Sequence, residues 1–254
     1  MSIVLECVGI QKSFGGVMAT QGIDLAVSAG EIVGVIGANG AGKTTLLNIV
    51  SGHLRPSAGK VLFQGIDVTG MPPRRLVRKG IARSFQIPQL FARSTARANV
   101  MLALSLLCEP QSALMRSFED RRLAANADRV LASHGLGRHA DVVVGQLPQG
   151  VRKLLDIAMA TCAEPSLVLL DEPTSGVSSE EKHGLMRGLA QRFMSARMTV
   201  VFIEHDMEIV REYASRVVAL YDGRIISDGP AEAVFANEQV VQLITGHSKQ
   251  HAKN

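Results

Sequence analysis

Apolar positions near the start of the chain fall into short β-prone runs separated by turns, at residues 5–16, 23–27 and 31–37. The third run, EIVGVIG, is apolar on both faces, which is typical of a strand buried inside a parallel sheet. It leads into a glycine-rich loop and then into TTLLNIVSG, which predicts a helix that ends at Gly52. A further strand or hairpin is predicted at residues 60–68.

Residues 86–147 have a different pattern, in which Pro88 and Pro110 interrupt helix-prone stretches, and they predict a helical insertion. An amphipathic helix is predicted to start near Pro148. Its apolar face comprises Val151, Leu154, Leu155, Ala158, Met159 and Cys162. Three β-rich segments follow, SLVLLD, TVVFIE and RVVALYDGRII, with helical stretches between them. Strands that alternate with helices predict an α/β fold with a parallel sheet.

Composition narrows the classes of partner. The chain has 254 residues, a net charge of +4 and 20% charged residues, as in ordinary globular proteins. Aromatic residues make up only 4%, and no basic run is interleaved with stacking side chains, so we expect no nucleic-acid partner. The densest basic stretch, residues 72–83, predicts a solvated helix face, with a surface for anionic lipid or a membrane partner as the alternative.

The cysteines and the N-terminus bear on the cellular compartment. Cys7, Cys108 and Cys162 lie far apart and in no metal-ligand spacing, which suits reduced thiols in the cytosol. No signal peptide is visible, and the most apolar window, residues 99–108, is about half as long as a membrane crossing requires. We therefore expect a cytoplasmic protein that reaches a membrane only through other subunits.

The segment GANGAGKT matches the phosphate-binding pattern G-x-x-x-x-G-K-[ST] and lies between a predicted strand and a predicted helix, as that pattern requires. Backbone N–H groups here would surround phosphate oxygens at the helix N-terminus. Lys43 would bridge the β- and γ-phosphates, and the Thr44 hydroxyl would reach Mg²⁺. The pattern thus predicts ATP and Mg²⁺ as ligands. The candidate nucleotide-binding residues are Gly37, Ala38, Asn39, Gly40, Ala41, Gly42, Lys43, Thr44 and Thr45.

Other candidate chemistry follows predicted strands. Asp171 ends the strand LVLLD, where it is placed to hold Mg²⁺ through water, and Glu172 is placed to act as a general base. His205 follows the next strand and could hydrogen-bond the γ-phosphate. Each of these signals is modest when taken by itself, and Gln86 alone is typical of an ordinary surface glutamine.

The order of these motifs along the chain resembles the ATPase subunits of ABC transporters over essentially the full length. The resemblance implies a P-loop NTPase fold with a parallel-sheet core, an N-terminal antiparallel β subdomain and an inserted helical subdomain. It implies a single domain, in which residues 1–86 and 164–245 form the catalytic core with the β subdomain, residues 87–163 the helical subdomain, and residues 246–254 a polar tail.

The resemblance also implies residue roles. Gln86 is the coupling glutamine and joins Thr44 and Asp171 at the metal, Glu172 is the base, and His205 is the switch histidine. Phe14 matches the aromatic residue that stacks on adenine, with core packing as the alternative. The family signature, usually LSGGQ, faces the γ-phosphate of a partner subunit across a head-to-tail dimer. It corresponds to Leu147, Pro148, Gln149, Gly150 and Val151.

Residues 65–91, EHDMEIV and DGRIISDGPAEAV are similar to ATPase subunits of branched-chain amino-acid importers, which share G-I-A-R-[TS]-F-Q followed by L-F. This implies a second ATPase subunit, two membrane permeases and an external solute-binding protein. The chain would then lie on the inner face of the membrane without touching the solute. Urea or amide importers and exporters of the lipopolysaccharide type stay open.

Two segments depart from the family pattern. In the signature, Pro148 replaces the usual serine, Gln149 the first glycine and Val151 the usual glutamine, and in the loop after Glu172, Ser178 replaces the usual aspartate. Pro148 suits the first position of a helix. The lost hydroxyl hydrogen bond costs about 1.5–3 kcal/mol, whereas losing a general base costs roughly 10²–10⁴ in rate. Since Glu172 is intact, we predict a working ATPase, with a non-catalytic half of a heterodimer as the alternative.

Overall fold

This computed structural model describes residues 2–107 and 121–246, which form two sheets flanked by helices. Cys108 and Pro110 lie outside the described residues, as does most of the predicted polar tail. Among the helices described, none combines the length and apolar character that a membrane crossing needs.

A six-stranded sheet lies at the centre. Its strands are β3 (Ile32–Gly37), β6 (Ile81–Ser84), β7 (Leu167–Asp171), β8 (Thr199–Ile203), β9 (Arg216–Tyr221) and β10 (Arg224–Gly229). They run in the order β10-β9-β3-β8-β7-β6, and all neighbours are parallel except β10, which is antiparallel to β9. Every residue of β3, β7 and β8 is buried, which confirms the predicted parallel core.

A second, antiparallel sheet packs against the first. It contains β1 (Ile3–Phe14), β2 (Val17–Ser28), β4 (Ala58–Phe63) and β5 (Ile66–Asp67), in the order β2-β1-β4-β5. The run predicted at 5–16 nearly coincides with β1, whereas the run predicted at 23–27 was too short, because β2 begins at Val17 and spans 12 residues. Gly9 and Gly22, with φ of 57° and 83°, lie at register shifts and form bulges within these two strands.

The helices surround both sheets. They are α1 (Lys43–Val50), α2 (Pro73–Lys79), α3 (Ala96–Leu107), α4 (Arg121–Ser133), α5 (Gln149–Thr161), α6 (Ser179–Ser195), α7 (Met207–Tyr213), α8 (Ala231–Ala236) and α9 (Glu238–Val240), with a π-helical turn at Val241–Thr245. Pro148 was predicted to suit the first position of α5, but it is the N-cap. Its ψ of 154° is extended, while its carbonyl accepts the Arg152 N–H.

Three apolar clusters make up the core. One lies between the antiparallel sheet, α1 and one face of the central sheet, and it includes Val33 and Val35. The second lies between the opposite face and α6, α7 and α8, and it includes Ile32 and Ile36. Successive residues of β3 therefore enter different clusters, which explains its uniformly apolar sequence. The third cluster joins α3, α4 and α5.

The strand register positions the loops that carry the candidate chemistry. Asp171 at the end of β7 pairs with Ile203 in β8, and Ile203 pairs in turn with Val35 in β3. Ser84 in β6 pairs with Leu170 in β7. The loops that follow these four parallel strands consequently leave the sheet at one edge, where α/β proteins bind ligands.

Gly34 in β3 is expected to tolerate no side chain. An added Cβ would lie 2.8 Å from Val210 Cγ1 and 3.1 Å from the Ala214 Cβ, so α7 would have to move. We predict that Gly34→Ala lowers the free energy of unfolding by about 1–3 kcal/mol, measured as a lower urea midpoint at unchanged m-value.

Gly188 in α6 provides the matched control, because an added Cβ there has no neighbour within 4 Å. Gly188→Ala is expected to raise the free energy of unfolding by about 0.5–1 kcal/mol, since glycine weakens a helix. An equal effect of both substitutions would contradict the steric explanation.

Candidate nucleotide site

The glycine-rich loop runs from the end of β3 to the first residue of α1, as predicted. Gly40 and Gly42 have φ of 81° and 95°, and a Cβ at Gly42 would lie 2.3 Å from the Ala19 carbonyl oxygen. The loop conformation thus requires glycine at position 42 both for its backbone angles and for its close approach to β2. Thr44 is exposed at the start of α1, and Thr45 is half-buried.

Lys43 is buried inside this loop. Its Nζ donates hydrogen bonds to the carbonyl oxygens of Gly37 and Ala38, at 2.7 and 2.9 Å. Burial lowers the pKa of Lys43, and the Glu172 and Asp171 carboxylates oppose that shift. The Lys43 ammonium group is therefore hydrogen-bonded to carbonyl oxygens of its own loop. When a nucleotide binds, phosphate oxygens would take the place of these carbonyl oxygens.

The structure brings Gln86, Glu172 and His205 together. Gln86 Nε2 donates to Glu172 Oε2 at 2.8 Å, and His205 Nε2 lies 3.1 Å from Glu172 Oε1. Glu172 has φ of 48°, in the left-handed region, and its N–H donates to the Ile203 carbonyl at 3.0 Å. Such a backbone costs about 1–3 kcal/mol and persists where its surroundings hold it. Both oxygens of this carboxylate are hydrogen-bonded by side chains from the loops that follow two different strands, β6 and β8.

Asp171 is ion-paired with Arg83, which the sequence analysis did not identify. Arg83 Nη2 lies 3.0 Å from Asp171 Oδ2, and both side chains are almost wholly buried. Arg83 Nη1 also donates to Asn48 Oδ1 and Ser51 Oγ, at 2.6 and 2.9 Å. Burial lowers the pKa of Arg83, and Asp171 opposes that shift. The guanidinium group thereby ties the end of α1 to the end of β7.

The predicted signature lies at the start of α5. Leu147 is buried and Val151 half-buried, both in the third apolar cluster, while Pro148 and Gln149 are exposed. The Gln149 side chain covers Gly176, where an added Cβ would lie 1.9 Å from Gln149 Nε2. The valine of the signature thus contributes apolar packing where a glutamine would not.

Phe14 lies at the end of β1 and is 50% exposed. Its ring centre is 5.3 Å from Lys12 Nζ. The core-packing alternative is therefore wrong, and stacking on adenine stays a prediction.

Further buried charges near the site escaped the sequence analysis. Lys153 and Asp156 in α5 and Glu204 after β8 are all buried. Glu204 accepts hydrogen bonds from the Thr174 N–H and hydroxyl, at 2.8 and 2.7 Å. Lysine is rarely buried, so its burial was not expected. The signal available in the sequence is the pair of opposite charges at positions 153 and 156, which share a helix face.

Comparison with known protein families shows to which family the chain belongs. The ABC transporter family profile matches residues 20–175, more than half of the chain. The match includes the glycine-rich loop, Gln86, the signature, Asp171 and Glu172. The chain belongs to the ABC transporter family. Its P-loop NTPase fold and its predicted ATPase activity are thereby confirmed, and it is the ATP-binding, ATP-hydrolysing subunit of an ABC transport system.

Characterised relatives cover nearly the whole chain. It is 31% identical to the high-affinity branched-chain amino acid transport ATP-binding protein BraF of Pseudomonas aeruginosa, over 96% of this chain and 98% of BraF. The LivG protein of Escherichia coli is also 31% identical, with the same coverage. The methionine import ATP-binding protein MetN of Rhizobium johnstonii is 34% identical, but the match covers only 63% of MetN.

Solved ABC cassettes have the same fold. A nucleotide-free ATP-binding cassette from an ABC transporter superimposes with a TM-score of 0.85 at 28% identity, over 95% of this chain and 98% of that one. A dimeric cassette bound to ADP and phosphate gives 0.77 at 25% identity, over 89% of this chain.

The ABC site fits Mg²⁺ as part of a nucleotide complex. Within the described residues, no group of three or more His, Cys, Asp or Glu side chains could hold a metal ion. Mg²⁺ commonly takes one or two protein ligands together with substrate phosphates and water. The exposed Thr44 suits that mode, with Gln86 as a further candidate ligand. Asp171 is almost wholly buried against Arg83, so its carboxylate would act on the ion through water.

The buried Arg83–Asp171 pair generates a stability prediction. Arg83→Met would leave the Asp171 carboxylate buried without its cation, so we expect the free energy of unfolding to fall by about 3–5 kcal/mol in urea denaturation.

Arg75→Met is the matched control, because Arg75 is exposed on α2. Its effect is expected to stay within about 0.5 kcal/mol. A loss below about 1 kcal/mol in Arg83→Met would mean that Asp171 does not depend on this ion pair.

Proposed function

We propose that this chain is one of two ATPase subunits that power an importer of branched-chain or related amino acids. The observation that carries this proposal is the coverage of its relatives. The chain spans 98% of BraF and of LivG, whereas it spans 63% of MetN. Likeness over the whole length of the branched-chain proteins supports that class over the methionine class, although the methionine relative has slightly higher identity.

In the proposed mechanism, Glu172 is the general base. The water oxygen bonds to the γ-phosphorus, a water proton passes to the Glu172 carboxylate, and the bond from the γ-phosphorus to the bridging oxygen breaks to release ADP. Mg²⁺, when bound, would neutralise charge on the phosphates. Gln86 and His205 each hydrogen-bond one Glu172 oxygen here. Since each carboxylate oxygen accepts up to two hydrogen bonds, these contacts orient the carboxylate and leave it able to accept from the attacking water.

The second subunit is expected to supply a signature to this ATP site. Pro148 and Gln149 are exposed at the N-terminal end of α5, where they are open to another molecule. Similarity to a dimeric cassette structure supports the pairing of two such chains.

ATP-driven uptake tests this function. The subunit, matched permeases and solute-binding protein would be reconstituted in proteoliposomes with labelled leucine, isoleucine, valine, methionine and urea. We expect ATP-dependent uptake of the branched-chain amino acids. In the Glu172→Gln complex, ATP turnover should fall by roughly 10²–10⁴, because the base is lost, while binding of a fluorescent ATP analogue is retained.

The outcomes separate the candidates. Uptake of methionine or urea alone would overturn the solute class but not the ATPase. Unchanged turnover in Glu172→Gln would remove Glu172 from its role.

A groove between α2, α3 and α5 is the proposed contact for a permease. It has a volume of about 580 Å³ and is lined by the apolar side chains of Val77, Phe85, Phe91, Leu102, Leu106 and Met159. Arg74 and Arg78 of the predicted basic stretch lie at this groove, and both are exposed. The occupant that fits is a cytoplasmic helix of a permease with one apolar face and acidic flanking residues. Phe85 precedes Gln86, so this contact would adjoin the ATP site.

Phe91→Asp tests the groove. Phe91 is 57% exposed, so the substitution is expected to preserve the fold while placing a charge in the apolar contact. We expect loss of co-purification with the permeases and unchanged ATP binding. Ile66→Asp on β5, where Ile66 is 54% exposed, is the control and should co-purify normally. Equal co-purification of both variants would place the permease contact elsewhere.

A further inference from the structure

Lys153 in α5 is a buried cation that the mechanism above does not use. It is 1% exposed. Its Nζ donates to the carbonyl oxygens of Phe85, Gln86 and Asp171, at 2.8, 3.1 and 3.2 Å. A lysine ammonium has three donors, so each is matched by one carbonyl. One side chain thus joins the loop that carries Gln86 to the residue that precedes Glu172.

Asp156, one turn further along α5, binds the same loop as a hydrogen-bond acceptor. Its carboxylate accepts from the N–H groups of Phe85 and Gln89, at 3.3 and 3.1 Å. Helix α5 therefore binds both acceptors and donors of the backbone around Gln86. Burial lowers the pKa of Lys153, and nearby carboxylates, Asp156 first among them, oppose that shift.

The same helix carries the signature. Gln149 lies one turn before Lys153, and both line a cleft of about 310 Å³ together with Gln86, Ile87, Pro88 and Ser175. Movement of the first turn of α5 would consequently move the ammonium that holds the loop. The Gln86 amide at the end of this connection is hydrogen-bonded to the Glu172 carboxylate.

We propose that Lys153 is a positioning residue that fixes the loop of Gln86 to the end of β7 and transmits displacement of the signature turn to the Gln86–Glu172 hydrogen bond. This inference rests on the proposed role of Glu172. Lys153 would not touch the nucleotide, so its loss should affect the chemical step and leave ATP binding by the glycine-rich loop largely intact.

The position of the loop can be measured without turnover, because the chain contains no tryptophan. Ile87 is 75% exposed beside Gln86, so Ile87→Trp introduces a single fluorophore on the loop. In the full chain, adding Lys153→Met should increase the nanosecond mobility of this tryptophan, seen as faster decay of fluorescence anisotropy. Adding Lys60→Met, at an exposed lysine of β4, should leave the decay unchanged.

A double-mutant cycle in the assembled transporter tests whether Lys153 acts through Gln86. Lys153→Met is expected to lower kcat by about 10-fold or more and to change KM by less than about 3-fold. In a Gln86→Ala background, the same substitution should lower kcat by less than about 3-fold, because coupled residues are not additive. Lys153→Arg, which keeps a charged donor, should recover part of the turnover.

Three results would overturn the proposal. They are an unchanged anisotropy decay in a folded Lys153→Met chain, equal losses of kcat in both backgrounds, and a rise in KM without a fall in kcat. If Lys153→Met fails to fold, the Lys153→Arg variant decides through the same cycle, and full additivity overturns the proposal. A wild-type complex that hydrolyses no ATP would instead refute the proposed function. The anisotropy comparison would still test whether Lys153 fixes the loop of Gln86.

Discussion

The register of the parallel strands β3, β8, β7 and β6 is the constraint on which the rest of the molecule depends. It sets the carboxyl ends of these strands at one level, so that loops far apart in sequence begin side by side. A shift of one residue in β7 would exchange the faces of the strand and carry Glu172 away from Gln86 and His205. The apolar side chains of β3 and β7 enter clusters on both faces of the sheet, which makes any such shift costly.

The central sheet could be predicted because its signal is local and uniform. A strand that is apolar on both faces can be satisfied only between two packed layers. The first hairpin could not be read in the same way. The second run was predicted to begin at residue 23, after Gly22, yet Gly22 occupies a bulge inside β2, and only pairing with the neighbouring strand distinguishes a bulge from a turn. The N-cap position of Pro148 depends likewise on backbone angles that composition leaves open.

The candidate site likewise has a part that could be predicted from the sequence and a part that could not. The glycine-rich loop is contiguous, so its pattern sufficed to locate it. Gln86, Glu172 and His205 follow three different strands, and only their order along the chain suggested that they meet. Arg83 and Lys153 were missed because a buried cation is defined by the acceptors that surround it, and those acceptors come from distant segments. The solute leaves no trace in these residues, since the proposed chemistry involves only nucleotide and water.

The left-handed backbone of Glu172 restricts which substitutions can test the role of its carboxylate. Its N–H is bonded to Ile203 and its carbonyl to the Ser175 N–H, so the turn is held at both ends in a conformation that β-branched side chains disfavour. Valine or isoleucine there would distort the turn as well as remove the carboxylate, and the two defects would be indistinguishable in an activity assay. Unbranched residues preserve the geometry. A residue at this position must therefore meet two requirements: its main chain must adopt the left-handed conformation, and its side chain must supply the carboxylate.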